Sequence, residues 1–433
     1  MFSSVAFTLL TVALPTVLAQ SSDSGYVQGL VNELNAIGYS GAANALSRAN
    51  GTSSGQQFLS QVQDGNYTVF VPNNAAFENL PSNVTSDDDL VAQYLAYHFV
   101  YGSFQNTSTT NSSSGGGGGT TSSASASESS STASSTEAFA WYQRRDEVSN
   151  SSDALLSGIY PNTTIGRTLL NSSDLVQLEA NKSQVLAWTR IGGGNVTLLN
   201  QPNISVANSS TYENLFLNSI DGVITPPGNL SAVLNATNAT AFVAFAQQVN
   251  TTNSDGSNTS AVNSLEQENG FTLFVPDNDA FQAAQQTIGG FQNNQTALNA
   301  LLGNHIINGT TLYTPDFQNA TASGSGANYI TAAGENLSVS SNSSGIFLQN
   351  QNGSVAQITR PDVLVSNGVF HVIDNVLVET DSNPEAASSA VMSASSAATA
   401  QSSTDTLPIG GGATLTSAGA TSTPALLRFH RAL

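Results

Sequence analysis

The sequence predicts two tandem copies of one domain that mixes strands with helices, and three pairs of matching strings predict it. Phe70 to Phe77 reads FVPNNAAF and Phe274 to Phe281 reads FVPDNDAF. His98 follows Pro72 by 26 residues and His305 follows Pro276 by 29. SIDGVI from Ser219 and VIDNVL from Val372 close the copies, but Asp221 lies 123 residues after its histidine and Asp374 only 69. The first copy therefore carries an insertion of about 54 residues. Without it each copy has roughly 150 residues, enough for one apolar core.

Taken in chain order, residues 1–19 read as a signal peptide, an apolar run from Val5 to Leu18 with the small residues Val17 and Ala19 before the cut. No Lys or Arg stands ahead of the run. The other reading, a buried helix of the mature protein, is opposed by the polar stretch Ser21 to Ser24. The first domain is expected over 24–226 and the second over 228–380, joined at Pro226-Pro227-Gly228. In each, an apolar run, Tyr67 to Val71 or Phe271 to Val275, stops at a proline that has no N–H for a sheet ladder. Asn73-Asn74 or Asp277-Asn278 then offers side-chain oxygens to cap a helix. Pro72 and Pro276 thus mark strand-turn-helix joints, with Phe77 and Phe281 one turn into the helix, placed to pack back on the strand.

The next element is an amphipathic helix whose apolar face carries Leu90, Tyr94, Leu95, His98 and Phe99, matched by Leu298, Leu301, Leu302, His305 and Ile306. Both histidines lie on the apolar stripe, which favours a neutral, hydrogen-bonded core histidine over a metal ligand or a catalytic base. The insertion, about 103–150, is almost entirely Ser, Thr, Gly, Ala and Asn as far as Thr136, and it is expected to be disordered because it has nothing apolar to bury. The copies end in NLFLNSIDGVI from Asn214 and NGVFHVIDNVLV from Asn367, β-branched strands after a turn, with Asn218 standing where the second copy has His371. Asp221 and Asp374, among apolar neighbours, read as acceptors for backbone N–H groups rather than as catalytic acids. Residues 381–433, rich in Ser, Ala and Thr, are expected to form a disordered, O-glycosylated tail. The terminal PALLRFHRAL carries Arg428, His430 and Arg431 and does not suit a glycolipid-anchor signal.

In this order and spacing, the TVFVPNNAAF block, the helix bearing Tyr97-His98 and the NGVFHVIDNVLV block resemble the fasciclin (FAS1) domain, in two copies over about Ser24 to Thr380. The resemblance implies an α+β fold, each copy a mostly antiparallel β-wedge packed with short helices. It also implies extracellular adhesion or matrix association without catalysis and without a cofactor. Pro72, Phe77, Asp221, Pro276, Phe281, His371 and Asp374 fall on the family's structural motif. The tyrosine-histidine positions associated with integrin binding in animal members fall on Tyr97 and His98; in the second copy His305 follows Asn304 instead of a tyrosine. The build is similar to that of secreted fungal members, for which no integrin partner is implied.

The remaining residues narrow the function further. About 23 N-x-Ser/Thr sequons lie between Asn50 and Asn352, against roughly a dozen expected from composition alone, which points to a heavily N-glycosylated chain. Asn83, Asn162, Asn171, Asn235, Asn250, Asn308, Asn319 and Asn342 are candidates, while Asn66, directly before a strand, is expected to go unmodified. The absence of cysteine excludes thiol catalysis and cysteine-based metal sites. A formal charge of −20 with nine Lys plus Arg opposes nucleic acid and anionic membranes as partners. Beyond the leader no stretch is apolar enough to span a bilayer.

Asp87-Asp88-Asp89 after Ser86 reads as a helix start rather than a calcium cluster, and Asp277 and Asp279 read the same way. A Ser-His-Asp triad would have to draw on a histidine already placed in a core. Trp141 and Trp188 are the only tryptophans, too few for sugar platforms in a glycosidase cleft. Arg144-Arg145, just past the low-complexity stretch, is a candidate dibasic cleavage site. The function expected is that of a non-enzymatic secreted glycoprotein in cell adhesion or cell-wall and extracellular-matrix association, its partners cell-surface or matrix proteins or wall polysaccharides. The alternative is an extracellular binding module for a small apolar ligand or a glycan.

Overall fold

The computed structural model describes residues 23–104, 163–190, 196–201, 204–252 and 258–401. The signal peptide, Asn162, Arg144-Arg145 and most of the insertion lie outside the described residues.

The first domain opens with three helices, Asp23–Ala36, Ser40–Ala49 and Ser53–Val62. The central strand follows, β1 (Tyr67–Pro72), then β2 (Phe99–Tyr101), β3 (Thr164–Arg167), β4 (Val185–Arg190), β5 (Val196–Leu198), β6 (Val206–Tyr212) and β7 (Leu215–Ile220). Four strands form one sheet in the order β2-β1-β7-β6, and β3-β4-β5 form a second. β1 runs parallel to β7, with Pro72 opposite Ile220, and every other strand pair is antiparallel. All six residues of β1 are buried. A strand covered on both faces needs a continuous apolar run rather than alternation, which is why TVFVP reads as it does.

The second domain repeats the plan. Helices Leu230–Ala236, Thr240–Gln248 and Ala261–Leu265, with a small hairpin of β8 (Asn250–Thr252) and β9 (Asn258–Ser260), lead to β10 (Phe271–Pro276). Helices Asn278–Gly289 and Gln295–Gly303 follow, then β11 (Ile306–Asn308) and helix Thr314–Thr321. The strands β12 (Ala327–Ile330), β13 (Asn336–Asn342), β14 (Gly345–Gln349), β15 (Val355–Val365) and β16 (Gly368–Ile373) complete a seven-stranded sheet, β11-β10-β16-β15-β14-β13-β12. β10 and β16 are its parallel pair, with Phe274 opposite His371 as Phe70 is opposite Asn218. In this domain β15 is long enough to join the outer hairpins to the centre. In the first domain β6 meets β5 only through the Thr197–Ser205 bridge, so the sheet divides. Both domains are α+β with mostly antiparallel sheets, as the resemblance implies.

Two expectations need correction. Residues 384–401 are not disordered but form the helix Pro384–Gln401, which packs against β11, β12 and the turn Glu179–Asn181. Asn383 caps it through Ala386 N at 3.1 Å, Pro384 occupies its first turn, and Ala386, Ala390, Ala394 and Ala398 line its inner side. The Ser/Ala composition hides this, because alanine is the strongest helix former and small enough to dock closely. The boundary of the insertion also shifts. Phe104 is buried edge-on against Trp188 at 4.7 Å, and its N–H donates to the Thr68 hydroxyl at 2.8 Å.

Candidate functional site

The strand-turn-helix joints are built alike. Asn73 accepts from Ala76 N at 2.9 Å and Asp277 from Ala280 N at 2.7 Å, each capping its helix. The following asparagine ties the joint to the preceding helix pair. Asn74 donates to Gly38 O at 3.0 Å and accepts from Gly41 N at 2.9 Å; Asn278 donates to Asn238 O at 2.8 Å and accepts from Ala241 N at 3.0 Å. Phe281 is buried against Phe242 and Phe245, while Phe77 is partly buried against the first core.

The two histidines are equivalent pins. His98 Nδ1 donates to Tyr94 O at 2.8 Å, and its Nε2 accepts from Ile224 N at 3.0 Å. His305 Nδ1 donates to Leu301 O at 2.8 Å, and its Nε2 accepts from Leu377 N at 3.0 Å. Each ring joins its helix to the segment that leaves the last strand of the domain. Acceptance at Nε2 fixes the neutral tautomer, and burial lowers both pKa values to about 4. Tyr97 is fully buried and donates to Val185 O at 2.9 Å, tying the helix to β4. Tyr97, His98 and His305 are at most 3% exposed, so their side chains offer no surface to a partner.

The closing aspartates accept across the strands. Asp221 takes Ser205 N at 2.9 Å and Ser205 Oγ at 3.1 Å, and Asp374 takes Gln357 N at 2.7 Å. His371 accepts from Asp362 N at 3.1 Å through Nδ1 and donates to Leu312 O at 2.9 Å through Nε2, with its ring stacked on Phe274 at 5.8 Å. Burial lowers its pKa as well.

Sequence reasoning missed two further repeated pairs. Thr68 and Thr272 donate to Gly102 O and Thr310 O, both at 2.8 Å, and accept backbone N–H groups from Phe104 and Leu312. Asn214 donates to Val62 O and Gly65 O, and Asn367 to Leu265 O and Glu268 O. Their signal was available, since each pair occupies the same place in both copies.

It also missed the seam between the domains. Ile165, Val185, Ala187 and Leu199 of the first domain share a buried cluster with Tyr313, Leu364 and Val369 of the second. Around it, Gln184 Nε2 donates to Val365 O at 3.0 Å, Asn200 Nδ2 to Asp362 O at 2.7 Å, and Gln177 N to Ser366 O at 2.9 Å. Glu179, 5% exposed, accepts from the Thr311 hydroxyl at 2.9 Å and pairs with Lys182 at 3.2 Å. Its backbone and side chain come so close to Gly270 that an added Cβ there would lie 2.4 Å from Glu179 Oε2. Asp362 accepts both the N–H and the hydroxyl of Thr314. Nothing local in the sequence marks the Glu179–Thr311 and Asp362–Thr314 contacts, because they join residues 132 and 48 positions apart.

Both copies match one known profile, that of the fasciclin domain, over residues 40–148 and 247–379. The chain belongs to the fasciclin domain family. It is 27% identical over 250 residues to a fasciclin-like arabinogalactan protein of Arthroderma benhamiae, a match that covers 54% of this chain. The chain spans about half the length of that relative, 53%. A FAS1 domain pair from the insect cell adhesion molecule fasciclin I aligns over 78% of this chain and 97% of its own, at 15% identity and a TM-score of 0.30.

Pro72, Phe77, Asp221, Pro276, Phe281, His371 and Asp374, which the resemblance implies as structural positions, sit in these joints and pins. On the surface of the fasciclin pair, Asn83, Asn171, Asn235, Asn250, Asn319 and Asn342 are exposed. Asn308 is half-buried, and its neighbour Gly309 faces Ala394 of the C-terminal helix. Asn66 is exposed despite its place before β1. Asp87, rather than Ser86, caps the helix Asp88–His98, and Asp88 pairs with Arg48. Among the described residues no three acidic or histidine groups converge on a metal site, and no helix is long and apolar enough to cross a membrane. Gly51 to Gly55, GTSSG, has the spacing of a nucleophile elbow, but it joins two helices, whereas the elbow requires a strand-to-helix turn. A groove of about 190 Å³ beside β6 is smaller than the 300 Å³ or so typical of small-ligand pockets.

Proposed function

We propose that the chain is a secreted, N- and O-glycosylated protein that associates with cell surfaces, cell wall or matrix by adhesion through its two fasciclin domains, 24–226 and 228–380, and not by catalysis. One observation carries this reading: the polar residues that recur in both copies are occupied in hydrogen bonds to the chain's own backbone. His98 and His305, Asp221 and Asp374, Asn74 and Asn278 all take internal partners. The shared motif therefore supplies architecture, and recognition is left to the outer faces. The seam holds those faces in one arrangement, so two weak contacts on one rigid body add through avidity when a surface presents both. Cell-surface or matrix proteins and wall polysaccharides are the partner classes.

Fractionation of cells expressing the native gene tests the proposal. The protein is expected in the salt-extractable wall fraction. Recovery in the medium alone would refute surface association, and dependence on detergent would refute adhesion by the domains themselves.

A further inference from the structure

β6 is the outer strand of the first domain's four-stranded sheet. One side pairs with β7; among the described residues its other side has only the Thr197–Ser205 bridge next to its start. Residues 207–211 are all exposed. The matching strand of the second domain, β15, has its first residues on β14 and its last six buried. Among the described residues β6 is thus an unpaired sheet edge, a template for pairing with another chain unless something covers it.

This edge carries the sequon Asn208-Ser209-Ser210, placed at the irregularity in the ladder between Val206 and Ser209. All three sequon residues line the groove of about 190 Å³, whose apolar walls are Ile37, Tyr39, Val71 and Leu217. Ile37, 38% exposed, is a large apolar side chain open to water. An acceptor asparagine on the outer strand therefore opens onto an apolar wall with an aromatic ring, over the sheet face that β6 shares with β7 and β1.

We propose that Asn208 carries an N-linked glycan whose first N-acetylglucosamine lies along this groove on the sheet face, so that the glycan stands on the outer strand β6. The proposal rests on the reading of the chain as secreted. In the transfer, the Asn208 side-chain nitrogen bonds to C1 of the sugar of a lipid-pyrophosphate-linked oligosaccharide. The bond from C1 to the phosphate oxygen breaks, the amide gives up one proton, and the lipid pyrophosphate leaves. The C–H face of the sugar then removes the surface of Tyr39 and Ile37 from water. Its hydroxyl groups stay solvated, and its bulk keeps a second strand from the edge. The exposed sequons Asn83, Asn235 and Asn319 lie on helices and not on an outer strand.

Glycopeptide mass spectrometry of the secreted full chain, with timed enzymatic release of N-glycans from the native protein, tests this. Asn208 is expected to be occupied and to lose its glycan several-fold more slowly than the helical sequons, with the difference abolished by denaturation. Tyr39→Ala or the milder Ile37→Ser should speed release at Asn208 alone, and Asn208→Gln should raise light scattering where Asn83→Gln does not. A bare Asn208 beside occupied helical sequons overturns the proposal, as does native release at the same rate. Sugar on no sequon overturns the secretory reading and this inference with it.

Discussion

His98 should make the first domain acid-labile by an amount that its burial sets. Both ring nitrogens are engaged, Nδ1 with Tyr94 O and Nε2 with Ile224 N, so a second proton displaces the Ile224 bond and places a charge in the core. Burial lowers the pKa to about 4 from an ordinary 6.5. Because the folded value lies below the unfolded one, the unfolded chain takes the proton first. The stability is fully present above pH 6.5 and is lost as pH falls from 6.5 towards 4. Linkage puts the whole step at ~3 kcal/mol, of which ~2.5 kcal/mol is gone by pH 4.5, against a typical domain stability of roughly 5–15 kcal/mol. His98→Gln keeps a donor and an acceptor but does not titrate. Trp188, packed on Phe70 and Phe104, reports unfolding of this domain by fluorescence in a Trp141→Phe background. Urea unfolding at neutral pH and at pH 4.5 should show the wild type losing ~2.5 kcal/mol more than the variant. Equal losses would refute the argument that the ring is held neutral by its surroundings.

Asp316 works in the opposite direction. Burial raises its pKa to about 6 from 3.8, so the fold disfavours its charged form, and that penalty is lost as pH falls from 6 towards 3.8. Asp316→Asn should stabilise the second domain by ~2–3 kcal/mol at neutral pH and by little near pH 4, a gap that urea unfolding at the two pH values measures. Gly270→Ala should destabilise by more than ~1 kcal/mol, because φ is +78° and the new Cβ meets Glu179; an unchanged melting temperature and scattering radius would refute the tight seam. Removing the residues after Ser382 should speed amide exchange in β11 and β12, whereas a tail that merely trails the domain would leave them unchanged. If the proposed secretory reading holds and Arg144-Arg145 is cut, the wild type should give two bands on a denaturing gel after enzymatic deglycosylation, and replacing both arginines by alanine should leave one.

Several roles were legible residue by residue. The capping roles of Asn73 and Asp277 follow from oxygens placed just after a strand-ending proline. His98 and His305 declared themselves as core residues by falling on an apolar helical stripe, and the structure supplies the two backbone partners of each. Asp221 and Asp374 read as backbone acceptors from their apolar neighbours. Composition alone points to a stalk after Thr380, whereas Asn383, Pro384 and the alanines spaced four apart are local signals of a capped, docked helix.

The two copies, their strand-turn-helix joints and the inward-facing histidines are written in short stretches of the chain, because caps, proline stops and helical periodicity act over a few residues and leave a pattern there. The seam and, among the described residues, the unpaired edge of β6 come into being only when the chain folds. Glu179 meets Thr311, and Gln184 meets Val365, across more than a hundred residues of chain. Among the described residues β5 meets the β6 side only at the Thr197–Ser205 bridge. Such contacts depend on where two folded surfaces come to rest, and no short stretch of residues encodes that.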